Sequence, residues 1–97
     1  MPQVVRRDQA KADILELFVR VGRRSIRAAE ELRDEIDDEC ELLARFPRLG
    51  RERPDLAPGL YSRPVAGRVI VYYYVSDDGI EVARVLHARR RVTPSMF

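Results

Sequence analysis

Tryptophan is absent from this 97-residue sequence, and cysteine and histidine occur once each, as Cys40 and His87. One cysteine cannot close an internal disulfide, and one thiol with one distant imidazole cannot supply a zinc ligand set, so no metal is expected. Glycine is scarce as well: Gly50, Gly59, Gly67 and Gly79 all stand in turn-like surroundings. None belongs to a glycine-rich phosphate loop, and no cofactor is expected. Ser25, Ser62, Ser76 and Ser95 have no histidine partner at motif spacing, which sets aside a serine nucleophile. Long apolar runs are missing too. Val69 to Val75 is the longest and is far too short to span a bilayer. Asp8, Lys11, Asp13 and Glu16 interrupt the first twenty residues, so neither a membrane partner nor a signal peptide is expected, and the cytoplasm is the simplest location.

Lysine is nearly missing, and what replaces it is informative. Of the 18 basic residues all but Lys11 are arginine, so basic surface here consists of planar, bidentate, permanently charged groups suited to phosphate or carboxylate partners. The net charge is only +2, yet residues 1–44 carry 8 basic against 11 acidic side chains and residues 45–97 carry 10 against 5. Acidic residues crowd the stretch from Glu30 to Glu41, and Arg84, Arg89, Arg90 and Arg91 crowd the end. The acidic run reads as a solvated helix face. The basic one reads equally as a tail or as a binding segment.

The apolar pattern changes period once along the chain. Gln3 to Arg6 is a short candidate strand, followed by Asp8 as an N-cap. Ala10, Ile14, Leu17, Phe18 and Val21 then recur at helical spacing up to Gly22, a candidate C-cap. Ser25 can cap a second helix striped by Ala29, Leu32, Ile36, Cys40 and Leu43 and closed by Pro47. Pro47 to Gly59 reads as a loop. Beyond it, Leu60–Val65, Arg68–Val75 and Ile80–His87 are β-branched and aromatic runs separated by Ala66-Gly67 and by Ser76 to Gly79, a three-strand antiparallel meander. The expected class is α+β: a single domain over residues 1–97, ordered β-α-α-β-β-β, with a helical hairpin on one face of an antiparallel sheet.

Few residues carry candidate chemistry. His87 has the unperturbed pKa for acid or base work, against the commoner role of a packed strand-end histidine. Arg84 is expected on the strand face of Ile80, Val82 and Leu86, where it interrupts an apolar row and needs a partner such as Glu35 or Asp38. Alternation sends Tyr72 and Tyr74 to one face and Tyr73 to the other, so one of them could form a stacking platform flanked by Tyr61 and Arg63. Arg89, Arg90 and Arg91, with the apolar segment Val92 to Phe97, form either a loose tail or a partner-docking region.

Several short motifs occur in a telling order: an Ala10-x-x-Asp13 pair opening the first helix, a long second helix closing on a proline, Gly59-Leu60-x-Ser62, Val69-Ile70-Val71-Tyr72-Tyr73, and a terminal Arg84-Val85-Leu86-His87. Together they resemble the RelE/ParE superfamily of toxins from type II toxin–antitoxin systems, nearest its ParE branch, over almost the whole chain.

The resemblance implies the fold just described, a cognate antitoxin, and one of two targets. ParE-like members poison DNA gyrase and are neutralised by ParD-like antitoxins; RelE-like members are ribosome-dependent endoribonucleases that cleave messenger RNA. In family nucleases an arginine commonly precedes the central-strand tyrosine by three residues. Here Ile70 holds that place relative to Tyr73, and Val69 relative to Tyr72. Arg68 is two residues from Ile70, about 6–7 Å along a strand, too far to replace a fixed phosphate clamp. The departure favours a ParE-like gyrase inhibitor with no chemistry of its own and no sequence-specific nucleic-acid binding by the toxin alone. Arg63, Arg84, Arg89, Arg90 and Arg91 are then the candidate target- or partner-binding residues. The alternative is a nuclease using His87, Arg68, Arg84 and Tyr73, and a third reading is a decayed toxin kept as a binding module.

Overall fold

The two apolar stripes become two helices in the computed structural model, which describes residues 2–97; Met1, the first residue of the expected domain, lies outside them. Helix α1 spans Asp8–Gly22 and α2 spans Ile26–Arg45. The Ser25 hydroxyl caps α2 by accepting from the Ala28 amide at 3.1 Å, as its position predicts. The ends of α1 differ from expectation. Its N-cap is Arg7, and Asp8 lies inside the first turn, where its charge favours the helix dipole without capping. Gly22 is the last helical residue and Arg23 the C-cap; a Cβ added at Gly22 would meet that of Ala29 at 3.7 Å, an ordinary contact.

All five stripe residues of α2 are buried, Cys40 among them. Burial pushes the Cys40 thiol up to about 11, an effect Arg6 only partly offsets, so it is a neutral core side chain. No helix among the described residues is long and apolar enough to cross a membrane.

Five strands make one sheet: β1 Gln3–Arg6, β2 Arg51–Glu52, β3 Leu60–Val65, β4 Val69–Ser76 and β5 Gly79–His87, in the order β1-β5-β4-β3-β2. The meander β3-β4-β5 is antiparallel as expected. Ala66 and Gly67 both take positive φ (57° and 64°), the conformation that lets a two-residue loop follow the strand twist.

Three features depart from the sequence reading. Strand β1 joins the sheet in parallel with β5, so the sheet is mixed at that edge. The Pro47–Gly59 segment is not wholly irregular, because it holds a 3-10 turn at Pro47–Leu49 and contributes β2 opposite Tyr61 and Ser62. The Val92–Phe97 segment is neither loose nor free to dock elsewhere. Its 3-10 turn at Pro94–Met96 returns the chain to the sheet, where Phe97 packs on Tyr72 with ring centroids 5.2 Å apart.

The sheet therefore has two apolar faces. Under the helices lie Val69, Val71, Tyr73, Ile80, Val82 and Val85. On the other face, Leu60, Tyr72, Ala83 and Leu86 are covered by Leu56 and the C-terminal residues Val92, Met96 and Phe97. The tyrosine alternation holds, with Tyr73 facing the helices and Tyr72 and Tyr74 the opposite side. Alternation in β5 does not hold. Tyr73 pairs with Val82 and Tyr72 with Arg84, so Ala83 is an extra, bulged residue. The bulge moves Leu86 to the face opposite Ile80 and Val82, and the single apolar row expected to contain Arg84 does not exist.

Gly79 holds the β1–β5 junction at φ 156°, and a Cβ there would overlap the Gln3 carbonyl oxygen. Gly79→Ala is expected to displace β1 and cost at least about 2 kcal/mol, combining backbone strain and overpacking. Urea denaturation measures the loss, and faster amide exchange confined to residues 3–6 would localise it.

Candidate functional site

β1 accompanies β5 only from Gly79 to Val82, where the Arg7 amide makes the last edge contact with the Val82 carbonyl at 3.0 Å. Past that point the β5 edge has no strand beside it, and α1 takes over. Asp13 projects from α1, and its Oδ2 accepts the Val85 amide at 3.1 Å. The same carboxylate accepts both arms of the Arg84 guanidinium, Nε at 2.8 Å and Nη2 at 3.0 Å, and a weaker bond from Gln9 at 3.3 Å. Side-chain exposure is 2% for Asp13 and 12% for Arg84. The Asp13 hydrogen bond holds the Arg84 pKa above its ordinary value, opposed by desolvation. Arg84 thus pairs with Asp13, not with Glu35 or Asp38, and its two-pronged contact removes it from the set free to bind a partner or a phosphate. The helical pattern held a signal for this: Asp13 falls between Ala10 and Leu17 on the buried side of α1, where a carboxylate requires a cation.

The remaining sequence-predicted residues are dispersed. Tyr73 is engaged at both ends: its hydroxyl donates to the Pro47 carbonyl at 2.6 Å and accepts the Gly50 amide at 3.0 Å, and its ring stacks on Tyr61 with centroids 5.5 Å apart. Burial raises its pKa, so the hydroxyl stays protonated at neutral pH. Tyr61 is buried and bonded to Arg48 and Glu52. The suggested platform flanked by Tyr61 and Arg63 is therefore not open, and Arg63 is ion-paired with Glu39 of α2 at 3.0 Å. Ile70, in the place of the nuclease arginine, lies opposite Leu86 in the second apolar cluster. Arg68 is exposed in the turn before β4, not within the strand.

His87 ends β5 opposite Val69, four residues and about 13 Å along β4 from Tyr73. Its ring is half-buried, and Nδ1 accepts the Arg89 amide at 3.1 Å. A neutral His87 therefore carries its proton on Nε2. Beside it lies an open cleft of about 490 Å³, with Asp13, Glu16 and Arg20 on the α1 side and His87, Arg89 and Arg90 on the other. The structure brings together His87, Arg89 and Arg90, and adds Arg20, which the sequence reading missed. Arg91 is exposed just beyond.

Comparison with known proteins agrees with this geometry. The family model described as the ParE toxin of the type II toxin–antitoxin system parDE matches residues 4–92. Toxin ParE3 of Caulobacter vibrioides (strain ATCC 19089 / CIP 103742 / CB 15) is 28% identical over 97 residues, covering 99% of this chain and 96% of that protein. A solved structure described as the chromosomal ParDE TA system from P. aeruginosa superposes with a TM-score of 0.74 at 18% identity, over 90% of this chain and 96% of that one, a likeness of fold.

The Asp13–Arg84 contact makes a quantitative prediction. Asp13→Ala leaves a mostly buried guanidinium and the buried Val85 amide without their acceptor and is expected to cost about 3–5 kcal/mol. The double variant Asp13→Leu with Arg84→Met should recover about half of that loss. A shortfall of about 1–3 kcal/mol should remain, because the Val85 amide still lacks an acceptor. Equilibrium denaturation of the two variants and the parent checks both numbers.

Proposed function

The chain belongs to the ParE toxin family of type II toxin–antitoxin systems, and from that premise we propose that it disables DNA gyrase through protein contacts, with no chemistry of its own, and is neutralised by a ParD-like antitoxin. One observation carries the reading: the side chains a family nuclease would use do not converge. Arg84 is bound by Asp13, the Tyr73 hydroxyl by Pro47 and Gly50, and the clamp position is the apolar Ile70. Positioned proton transfer and preorganised charge contacts each contribute factors of about 10²–10⁴, so their dispersal leaves negligible cleavage. His87 and Arg68 do share a cleft, the one arrangement that favours the nuclease alternative.

We assign target contact to the exposed arginines Arg89, Arg90 and Arg91, since Arg63 and Arg84 are occupied within the chain. The antitoxin has a separate foothold on α1, where Leu15 is 63% and Val19 47% exposed one turn apart beside Ala12. An amphipathic antitoxin helix laying apolar residues on this pair, with carboxylates toward Arg20 and Arg23, fits that surface. Gyrase as target places the action in the cytoplasm.

Purified toxin is expected to block supercoiling by purified gyrase and to leave messenger RNA on translating ribosomes uncut in primer extension. Codon-dependent cuts that disappear with His87→Ala would reverse the choice of target. The Arg89, Arg90 and Arg91 to Glu triple variant should lose toxicity with an unchanged Tm, because exposed charges contribute little to stability. Full toxicity in that variant would return these residues to a solvated segment. Co-expression with the adjacent antitoxin gene should yield a complex that survives moderate salt.

A further inference from the structure

Among the described residues six arginines form ion pairs: Arg6, Arg7, Arg27, Arg53, Arg63 and Arg84. Three others, Arg20, Arg24 and Arg68, form none and instead line one cleft of about 300 Å³ with Ser25 and His87, over a floor that includes Leu32. No carboxylate lines this cleft. Glu16, four residues before Arg20, stands on the adjoining cleft beside Asp13, which is bound to Arg84.

The backbone positions of these residues are tied down. The Arg24 and Ser25 amides both bond to the Val21 carbonyl at 3.1 Å, and the Ala88 amide bonds to the Arg68 carbonyl at 2.8 Å. The Arg89 amide holds His87 Nδ1, which turns Nε2–H into the ring's remaining donor. Arginines from the end of α1, the α1–α2 turn and the β3–β4 turn thus line one cleft, and none of the three is ion-paired within the described residues.

We propose that this cleft binds a phosphate group. A carboxylate is satisfied by one guanidinium fork and an amide or two, as Asp13 demonstrates in this same fold. Three arginines carried on three separate elements, with a hydroxyl and an imidazole N–H, offer more donors than a planar carboxylate can accept and suit a tetrahedral anion with three or four oxygens. No phenylalanine, tyrosine or tryptophan lines the cleft, and its polar groups are donors suited to phosphate oxygens, so the phosphate itself is the recognised element. The group comes either from a nucleic-acid backbone, read without sequence preference, or from a small phosphate compound. The assignment does not rest on gyrase being the target.

The test follows backbone amide and His87 ring resonances of the isotope-labelled full chain, at constant ionic strength, during titration with inorganic phosphate and, in a second arm, with a short DNA duplex. Saturable shifts are expected at Arg24, Ser25, Arg68 and His87. Arg24→Ala and Arg68→Ala should each weaken phosphate binding roughly tenfold, while Arg45→Ala, at the far end of α2, should not. Tighter binding of duplex at the same residues identifies a nucleic-acid backbone as the source; binding of phosphate without duplex identifies a small phosphate compound. Shifts that fail to saturate, or are equal in the parent and the Arg24 and Arg68 variants, would overturn the proposal. So would saturation by a glutamate-rich peptide but not by phosphate.

Discussion

The structure depends on how the outer edge of β5 is satisfied once β1 ends. Backbone N–H groups at a buried edge require acceptors, and a four-residue strand can supply them only as far as Val82. Asp13 continues that service from a helix. A carboxylate taking the Val85 amide must itself be neutralised in a poorly solvated place, and Arg84, the neighbouring residue of the same strand, does so with both arms. One side chain thereby sets the height and rotation of α1 against the sheet, across 71 residues of sequence. Once α1 is placed, α2 packs beside it across the short connection between Gly22 and Ile26. The acidic outer face of α2 then comes within reach of Arg6 and Arg63 of the sheet through Asp37 and Glu39.

The bulge at Ala83 belongs to the same arrangement. An unbroken β5 would keep Arg84 in phase with Ile80 and Val82, among the apolar side chains beneath the helices. The extra residue shifts phase, so that Val85 faces the helical core, Leu86 the second cluster, and Arg84 reaches α1. Strict alternation could not reveal this, because a bulge has no composition of its own at Glu81 to Val85. The need for a partner to Arg84 was legible, and so was the anomaly of Asp13 in an apolar stripe. Their pairing was not, since it follows from the relation of a helix to a strand edge.

Elements set by local periodicity were legible: the α2 stripe, the Ser25 cap, the β3–β4–β5 meander and the split of Tyr72 from Tyr73. Elements set by distant packing were not. β2 is two residues long and exists because β3 offers Tyr61 and Ser62 as partners. The direction of β1 depends on where the helical hairpin returns the chain, a property of the whole topology. The C-terminal segment carries polar punctuation, Thr93, Pro94 and Ser95, typical of a loose end, and folds back because Tyr72 and Leu86 otherwise remain open to solvent. Covering that face buries Leu60, Tyr72, Ala83 and Leu86. On the outer side of α1, by contrast, Leu15 and Val19 remain exposed.

The excess of arginine over lysine follows from the uses made of it. Arg84 needs a fork to hold a carboxylate at two atoms, and Arg53 holds Asp55 the same way while standing 6.0 Å from the Tyr72 ring; a lysine would meet either demand with a single point of contact. Arginines drawn from β1, β3 and the first turn of α2 are matched to acids of α2, at Asp37, Glu39 and Glu31. Those at the far end of the sheet, Arg20, Arg24, Arg68, Arg89 and Arg90, surround His87 without such matching. A net charge of +2 therefore describes a molecule with an acidic helix face at one side and a concentrated basic end at another. Field at that end, not total charge, would steer an anionic partner. Because guanidiniums stay protonated through the physiological range, this attraction is insensitive to pH and falls with salt.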